Sequence, residues 1–252
     1  MLSHIRSVLW MCPLIGLSVF VMGSISLVAS LFDSSGRLQH RVAVAWARMV
    51  LRICMVRVDV LGAEKLDPQQ PYVFCSNHFS LIDTPVMFGS MPREFRILAR
   101  DNLWKIPFLG WHLNRAGHIP VTRESPRAAA RNIGEAAGRV RNGVSILLFP
   151  EGGRTRQPAM RRFKPGAAYI AIQAGVPIVP MALVGTRDIL SPNSSHLHPG
   201  RAELRVGEPI DTTGLTNRDA KSVIERAQQE VAKLAGVAWP DDGANQVAGE
   251  AE

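Results

Sequence analysis

Tyr72-Val73-Phe74-Cys75-Ser76-Asn77-His78-Phe79-Ser80-Leu81-Ile82-Asp83-Thr84-Pro85 sets a short apolar run directly against a polar segment that carries one histidine and one aspartate. A short apolar run of this kind reads as a strand buried on both faces. His78 therefore stands at the carboxyl end of a strand, the place where ligands bind in α/β sheets. An imidazole there can take a proton from a hydroxyl near neutral pH, and a carboxylate on its far nitrogen would fix the tautomer and favour the imidazolium as it forms. His78 and Asp83 lie five apart, too far for a straight helical pair, so the segment must turn before a helix begins if the two are to meet. On spacing alone, coincidence is the commoner explanation of such a pair.

Working outward, Val56-Arg57-Val58-Asp59-Val60 alternates apolar and charged residues as a half-buried strand does. Further strands are expected over Phe95 to Leu98, His118 to Val121, Ser145 to Phe149, Ile178 to Val184 and Ala202 to Val206, with helices between them. One helix is marked by Ser125 as N-cap, Pro126 at the first helical position and Gly143 just past Asn142. A second runs from about Pro165 to Ala174 and stops at Gly175, and a last one covers Asn217 to Leu234. The pattern implies an α/β fold, a mixed central sheet flanked by helices. We expect one catalytic domain over residues 56–238, preceded by N-terminal membrane-anchoring helices over 1–55 and followed by a disordered acidic tail over 239–252.

The expectation of an anchor rests on Val8 to Phe32, which contains no charged side chain. A helix of that length reaches across the roughly 30 Å hydrocarbon layer of a bilayer. A secretory signal peptide is the rival, since Arg6 precedes the run and Val28-Ala29-Ser30 resembles a cleavage site. Its apolar part, however, should span only about 7 to 15 residues. Residues 37–55 read as an amphipathic helix with Arg41, Arg48 and Arg52 near one face, placed to lie on the membrane beside the first.

Lys and Arg outnumber Asp and Glu by 29 to 21, so anionic partners are favoured. The basic residues are scattered, and two tyrosines offer little for base stacking, so nucleic acid is not expected. Cys12, Cys54 and Cys75 are far apart, without a CxxC pair, which suggests neither a disulfide framework nor a zinc knuckle and fits a reducing cytoplasm. Cys75 invites a thiol-nucleophile reading, but a cysteine in an apolar strand is more often buried packing. His196 and His198 form no recognisable metal set, and no GxSxG elbow points to a serine hydrolase.

A second chemical segment, Phe149-Pro150-Glu151-Gly152-Gly153-Arg154-Thr155, also stands at the end of an apolar strand. Two adjacent glycines let backbone N–H groups approach an anion, and an arginine fork can clamp phosphate. An ordinary strand-to-loop turn with a solvated arginine fits this segment about equally well. Paired with Asn77-His78-Phe79-Ser80-Leu81-Ile82-Asp83, however, it resembles the HxxxxD and FPEG(T)R blocks of the glycerolipid acyltransferase family, which includes the 1-acylglycerol-3-phosphate acyltransferases. Gly117-His118-Ile119-Pro120-Val121-Thr122-Arg123 and Val176-Pro177-Ile178-Val179-Pro180 resemble two weaker blocks in the family's order. The resemblance covers residues 56–207.

It implies transfer of a fatty acyl group from acyl-CoA or acyl carrier protein to the sn-2 hydroxyl of 1-acylglycerol-3-phosphate, giving phosphatidic acid with no cofactor. By the same resemblance His78 is the catalytic base and Asp83 its orienting carboxylate. Glu151, Gly152 and Gly153 belong to the acceptor site, and Arg123 and Arg154 bind the acceptor phosphate. The implied place is the cell membrane, with the catalytic domain on its cytoplasmic face and membrane lysophospholipid as the lipid partner. Gly153 departs from the threonine usual in the family, which keeps glycerol-3-phosphate, a lyso-aminolipid or another lysophospholipid open as acceptor. A non-catalytic protein that binds anionic lipid is the rival from a different class.

Overall fold

The computed structural model describes residues 2–121, 125–154 and 159–238. The acidic tail and the arginine expected at position 123 lie outside the described residues. The chain opens with α1 (Leu2–Arg6), a π-helical turn (Ser7–Met11) and α2 (Cys12–Ala29), which together form one long apolar rod. Leu9, Trp10, Leu14, Leu17 and Phe20 are exposed along it.

The inward side of this rod carries small polar residues and glycine, and they tie it to the rest of the molecule along its length. Ser7 Oγ donates to the Leu197 carbonyl at 3.0 Å, Trp46 Nε1 donates to Ser18 Oγ at 3.1 Å, and Ser26 Oγ meets His112 Nδ1 at 2.6 Å. At Gly23 a Cβ would sit 3.0 Å from Phe108 Cβ, so only glycine lets the helix approach this closely.

The next helix, α3 (Arg37–Ile53), presents Arg41, Arg48 and Arg52 to the outside, as its periodicity predicts. Its opposite face, Ala43, Ala47, Val50 and Leu51, is buried in the same core as the sheet. A helix that buries such a face against protein contributes to the catalytic fold, so the expected boundary at residue 55 falls between two elements that share one core.

Among the described residues seven strands follow: β1 (Val56–Leu61), β2 (Val73–Ser76), β3 (Phe95–Arg100), β4 (Ile119–Val121), β5 (Ser145–Leu148), β6 (Ile178–Val184) and β7 (Gly200–Val206). They form one sheet in the order β1-β7-β6-β2-β5-β3-β4. β2, β3, β4, β5 and β6 run parallel, β7 is antiparallel to β6, and β1 is parallel to β7, so the sheet is mixed as expected. Every residue of β2 and β5 is buried, which is why these strands read as unbroken apolar runs.

Between the strands lie α4 (Asp83–Ser90), α5 (Leu109–Arg115), α6 (Pro126–Arg141), α7 (Gly166–Ala174) and α8 (Thr186–Ile189), and α9 (Ala220–Ala235) follows β7. α6 starts as its sequence signals require, with Ser125 Oγ accepting from Ala128 N–H. The last helix begins three residues later than expected, because Asn217–Asp219 forms a 3-10 turn closed by a capping box between Thr216 and Asp219. α3 packs on α4 where Gly89 has no side chain, since a Cβ there would lie 2.9 Å from Leu51 Cδ1. Arg48 Nε donates to the Gly89 carbonyl at 3.0 Å.

Candidate active site

β2 and β5 are neighbours in register, Cys75 opposite Leu148, so the segments leaving their carboxyl ends emerge side by side. This single pairing brings the two motifs together. After β2 the chain turns through Ser80 and enters α4 at Asp83, and that turn closes the five-residue gap between His78 and Asp83. His78 Nδ1 lies 2.8 Å from Asp83 Oδ2. The same oxygen accepts the backbone N–H groups of Phe79 and Ser80, each at 2.8 Å.

Asp83 is fully buried in the first turn of α4, where the helix dipole favours a negative charge. With Nδ1 committed to this carboxylate, the neutral ring carries its hydrogen there, and Nε2 is the nitrogen that can accept a proton. The His78 ring stacks on Phe149, with centroids 4.2 Å apart and planes 15° from parallel. Two further polar side chains brace the loop: Asn77 exchanges hydrogen bonds with both backbone groups of Leu183 on β6, and Ser80 Oγ donates to the Leu190 carbonyl at 2.6 Å.

Glu151 spans the site from the other side. Its Oε1 accepts the His78 N–H at 2.7 Å, and its Oε2 accepts the Arg161 N–H at 2.9 Å. Burial pushes its carboxyl up to about 7, against the two backbone bonds that favour the ionised form. The side chain is 4% exposed and does not line the cavity in front of His78. Gly152, Gly153 and Arg154 do line it. Gly152 has φ of +72°, so the turn that follows Glu151 is open to glycine and strained for other residues.

The cavity has a volume of about 1850 Å³. One part of its wall is polar, with His78, Arg154, Arg161 and Lys164, and another is apolar, with Val19, Trp46 and Val50 from the helices that precede the sheet. The space can thus take a ligand with an anionic head and a long apolar body.

A profile of the family described as Acyltransferase matches residues 57–184. A 1-acyl-sn-glycerol-3-phosphate acyltransferase of Chlamydomonas reinhardtii is 30% identical over 238 residues, covering 92% of this chain and 70% of the relative. The human 1-acyl-sn-glycerol-3-phosphate acyltransferase alpha is 34% identical over 178 residues, covering 70% of this chain and 62% of the relative. The chain belongs to the acyltransferase family. It spans less than two thirds of the length of the human relative and 62% of a chloroplast relative from Brassica napus. The crystal structure of the 1-acyl-sn-glycerophosphate acyltransferase PlsC from Thermotoga maritima shares the fold, with a TM-score of 0.71 at 24% identity over 95% of this chain and 100% of that one.

Within this acyltransferase, the structure gathers His78, Asp83, Glu151, Gly152, Gly153 and Arg154 beyond the carboxyl ends of the central strands β2 and β5, and Arg123 lies outside the described residues. Cys75 is fully buried and its thiol is pushed up by desolvation, so it is packing. The His196 and His198 rings lie with centroids 4.0 Å apart and planes tilted by 38°, and His196 meets His4 edge-on at 5.2 Å. Among the described residues, no group of three or more His, Cys, Asp or Glu side chains is placed to hold a metal ion.

Sequence reading missed Phe149 as the platform under His78 and Arg161 as the second anchor of Glu151. Nothing in the sequence signals either contact, because the first depends on strand pairing and the second on a loop without periodicity.

Proposed function

We propose that the protein transfers a fatty acyl group from acyl-CoA or acyl carrier protein to the sn-2 hydroxyl of 1-acylglycerol-3-phosphate, forming phosphatidic acid. The observation that carries this reading is the 2.8 Å contact between a buried Asp83 and His78, which lines a cavity whose wall holds both cationic and apolar side chains. The named activity of the relatives supports it.

His78 Nε2 removes the acceptor hydroxyl's proton, and the oxygen attacks the thioester carbonyl directly. The tetrahedral intermediate collapses, the C–S bond breaks, and protonated His78 returns the proton to the departing thiolate. Asp83 holds the tautomer and stabilises the imidazolium. Arg154, with Arg123, binds the acceptor phosphate, and Gly152 and Gly153 let the acceptor come close. Glu151 acts through His78, by holding the backbone of its loop.

Gly153 supports a second acceptor class, because the position before Arg154 lacks the hydroxyl usual in the family. A screen of lysophospholipids, glycerol-3-phosphate and lyso-aminolipids against one acyl-CoA, read by mass spectrometry, tests the assignment. Failure of lysophosphatidic acid to be acylated while another acceptor is used would refute it.

The reading places the enzyme on the cytoplasmic face of the cell membrane, with residues 1–55 supplying the attachment and 56–238 the catalytic domain. The rod formed by α1 and α2 supports a helix lying in the membrane against the domain, since protein contacts from Ser7 to Ser26 run along one side and exposed apolar residues along the other.

A further inference from the structure

His118 is the second residue of the Gly117 to Arg123 block, yet nothing in the chemistry above uses it. Gly117, with φ of +75°, turns the chain into β4, and the His118 ring swings against β3, where its Nδ1 accepts the Ile97 N–H at 3.0 Å. An acceptor at Nδ1 requires the neutral ring to carry its hydrogen on Nε2. Burial and the nearby Arg96 and Arg139 guanidinium groups hold the imidazole neutral, which agrees with that tautomer.

Among the described residues nothing accepts the Nε2 hydrogen, and the residue is 4% exposed. Yet His118 lines the same cavity as His78. Around it stand the His112 ring at 5.9 Å and the Phe88 ring at 6.0 Å, Ile97 is its own partner, and its backbone N–H bonds the Leu113 carbonyl. A buried donor without an acceptor is unfavourable until one meets it, and neither the neighbouring guanidinium groups nor the Phe88 ring offers a lone pair.

Its position says what that acceptor belongs to. Ile119 is opposite Leu98, Ile97 is opposite Leu147, and Leu147 is opposite Phe74, so His118 sits at the level of Phe74, four residues before His78. At strand spacing this is about 13 Å below His78 and, three strands across, about 14 Å to the side. A group reaching His118 while its ester end is at His78 must be far along a chain.

Resting on the proposed acyl transfer, we infer that the cavity selects a fatty chain bearing an oxygen acceptor, such as a hydroxyl or keto group, in its distal part, held by His118 Nε2–H. The same chemistry could sit on the transferred chain or on the chain the lysolipid already carries.

The test uses full-length protein in mixed micelles with sixteen-carbon chains that differ only in the position of one hydroxyl. In one arm the hydroxylated chain is on the acyl-CoA, in the other it is on the lysophosphatidic acid, and each is compared with its saturated counterpart. Because the readout is a ratio of kcat/KM values from one preparation, it does not depend on the fraction of a variant that folds.

Wild type is expected to prefer one distal position over the saturated chain by about tenfold, the size of one buried hydrogen bond, and the arm in which it does so names the source. His118→Gln, which can both accept from Ile97 N–H and donate to the ligand, should keep the preference. His118→Leu should abolish it. Equal use of hydroxylated and saturated chains by active wild type in both arms overturns the inference, as does a preference that survives in His118→Leu. A protein inert with saturated donor and acceptor overturns the acyl-transfer reading as well.

Discussion

Glu151→Gln separates a residue that touches the acceptor from one that holds the base. The carboxylate accepts two backbone hydrogens, from His78 at 2.7 Å and from Arg161 at 2.9 Å. Glutamine has nearly the same shape but one acceptor oxygen, and its NH2 would face a backbone N–H, so one side of the clasp is lost. A hydrogen bond to a charged group contributes about 1.5 to 3 kcal/mol.

Against this stands the burial of the charge, which raises the carboxyl from 4.5 to about 7. Between those values the folded chain holds a proton that the unfolded chain has released. Stability from this group is therefore full below pH 4.5 and is lost as pH rises through 7, by about 3 kcal/mol. Removing the charge relieves that cost, so the two effects of the substitution nearly offset above pH 7, and Tm should move by only a few degrees.

The kcat should nevertheless fall about ten- to a hundredfold, because the His78 backbone loses its anchor and a misplacement of about 1 Å at the reacting centre is that costly. KM for the acceptor should hardly change, since Glu151 is not on the cavity wall. The ratio of wild-type to variant kcat should be largest above pH 7 and shrink below it, as protonation brings wild-type Glu151 to the neutral state that glutamine imitates. Steady-state kinetics with lysophosphatidic acid and acyl-CoA from pH 5.5 to 8.5, beside thermal melts, provides every quantity. A variant with wild-type kcat and a raised acceptor KM would refute the reasoning and put Glu151 on the substrate.

His78→Ala should lower kcat by about 100- to 10,000-fold with the far-UV circular dichroism unchanged, because a general base is lost at a loop rather than in the core. Asp83→Asn should also lose activity, and some stability as well, since Asp83 Oδ2 accepts three hydrogens and the residue is fully buried; full activity would remove it from the dyad. Arg154→Ala should weaken use of a phosphate-bearing acceptor by about 1.5 to 3 kcal/mol, ten- to a hundredfold in kcat/KM, and leave an uncharged acceptor unaffected. Deleting residues 1–36 should move the protein from the membrane pellet into aggregates rather than clean solution, because it uncovers Trp46, Phe108 and His112, which α2 packs against; a monodisperse soluble product in gel filtration would argue against that packing.

The sequence by itself determined the elements whose signals are local. Seven strands were legible within two residues at either end because alternation and short apolar runs are written into neighbouring side chains, and α6 was legible from a cap, a proline and a glycine. The long apolar helix and the two motif blocks were readable for the same reason. Tertiary structure alone decided the strand order, the reversal of β7 against β6 and the adjacency of β2 and β5 that joins His78 to Glu151.

It also decided that α3 buries its apolar face in the catalytic core, although the amphipathic pattern suits a membrane surface equally well, since periodicity says which face is apolar but not what covers it. Glu151 shows the limit most clearly: its place in the motif names it, but both its oxygens are taken by backbone hydrogens from residues 73 positions before it and 10 after, a choice made by strand pairing and loop return. His118 likewise acquires its free Nε2–H only when β4 lies against β3, because the tautomer follows from a hydrogen bond between residues 21 apart in the chain.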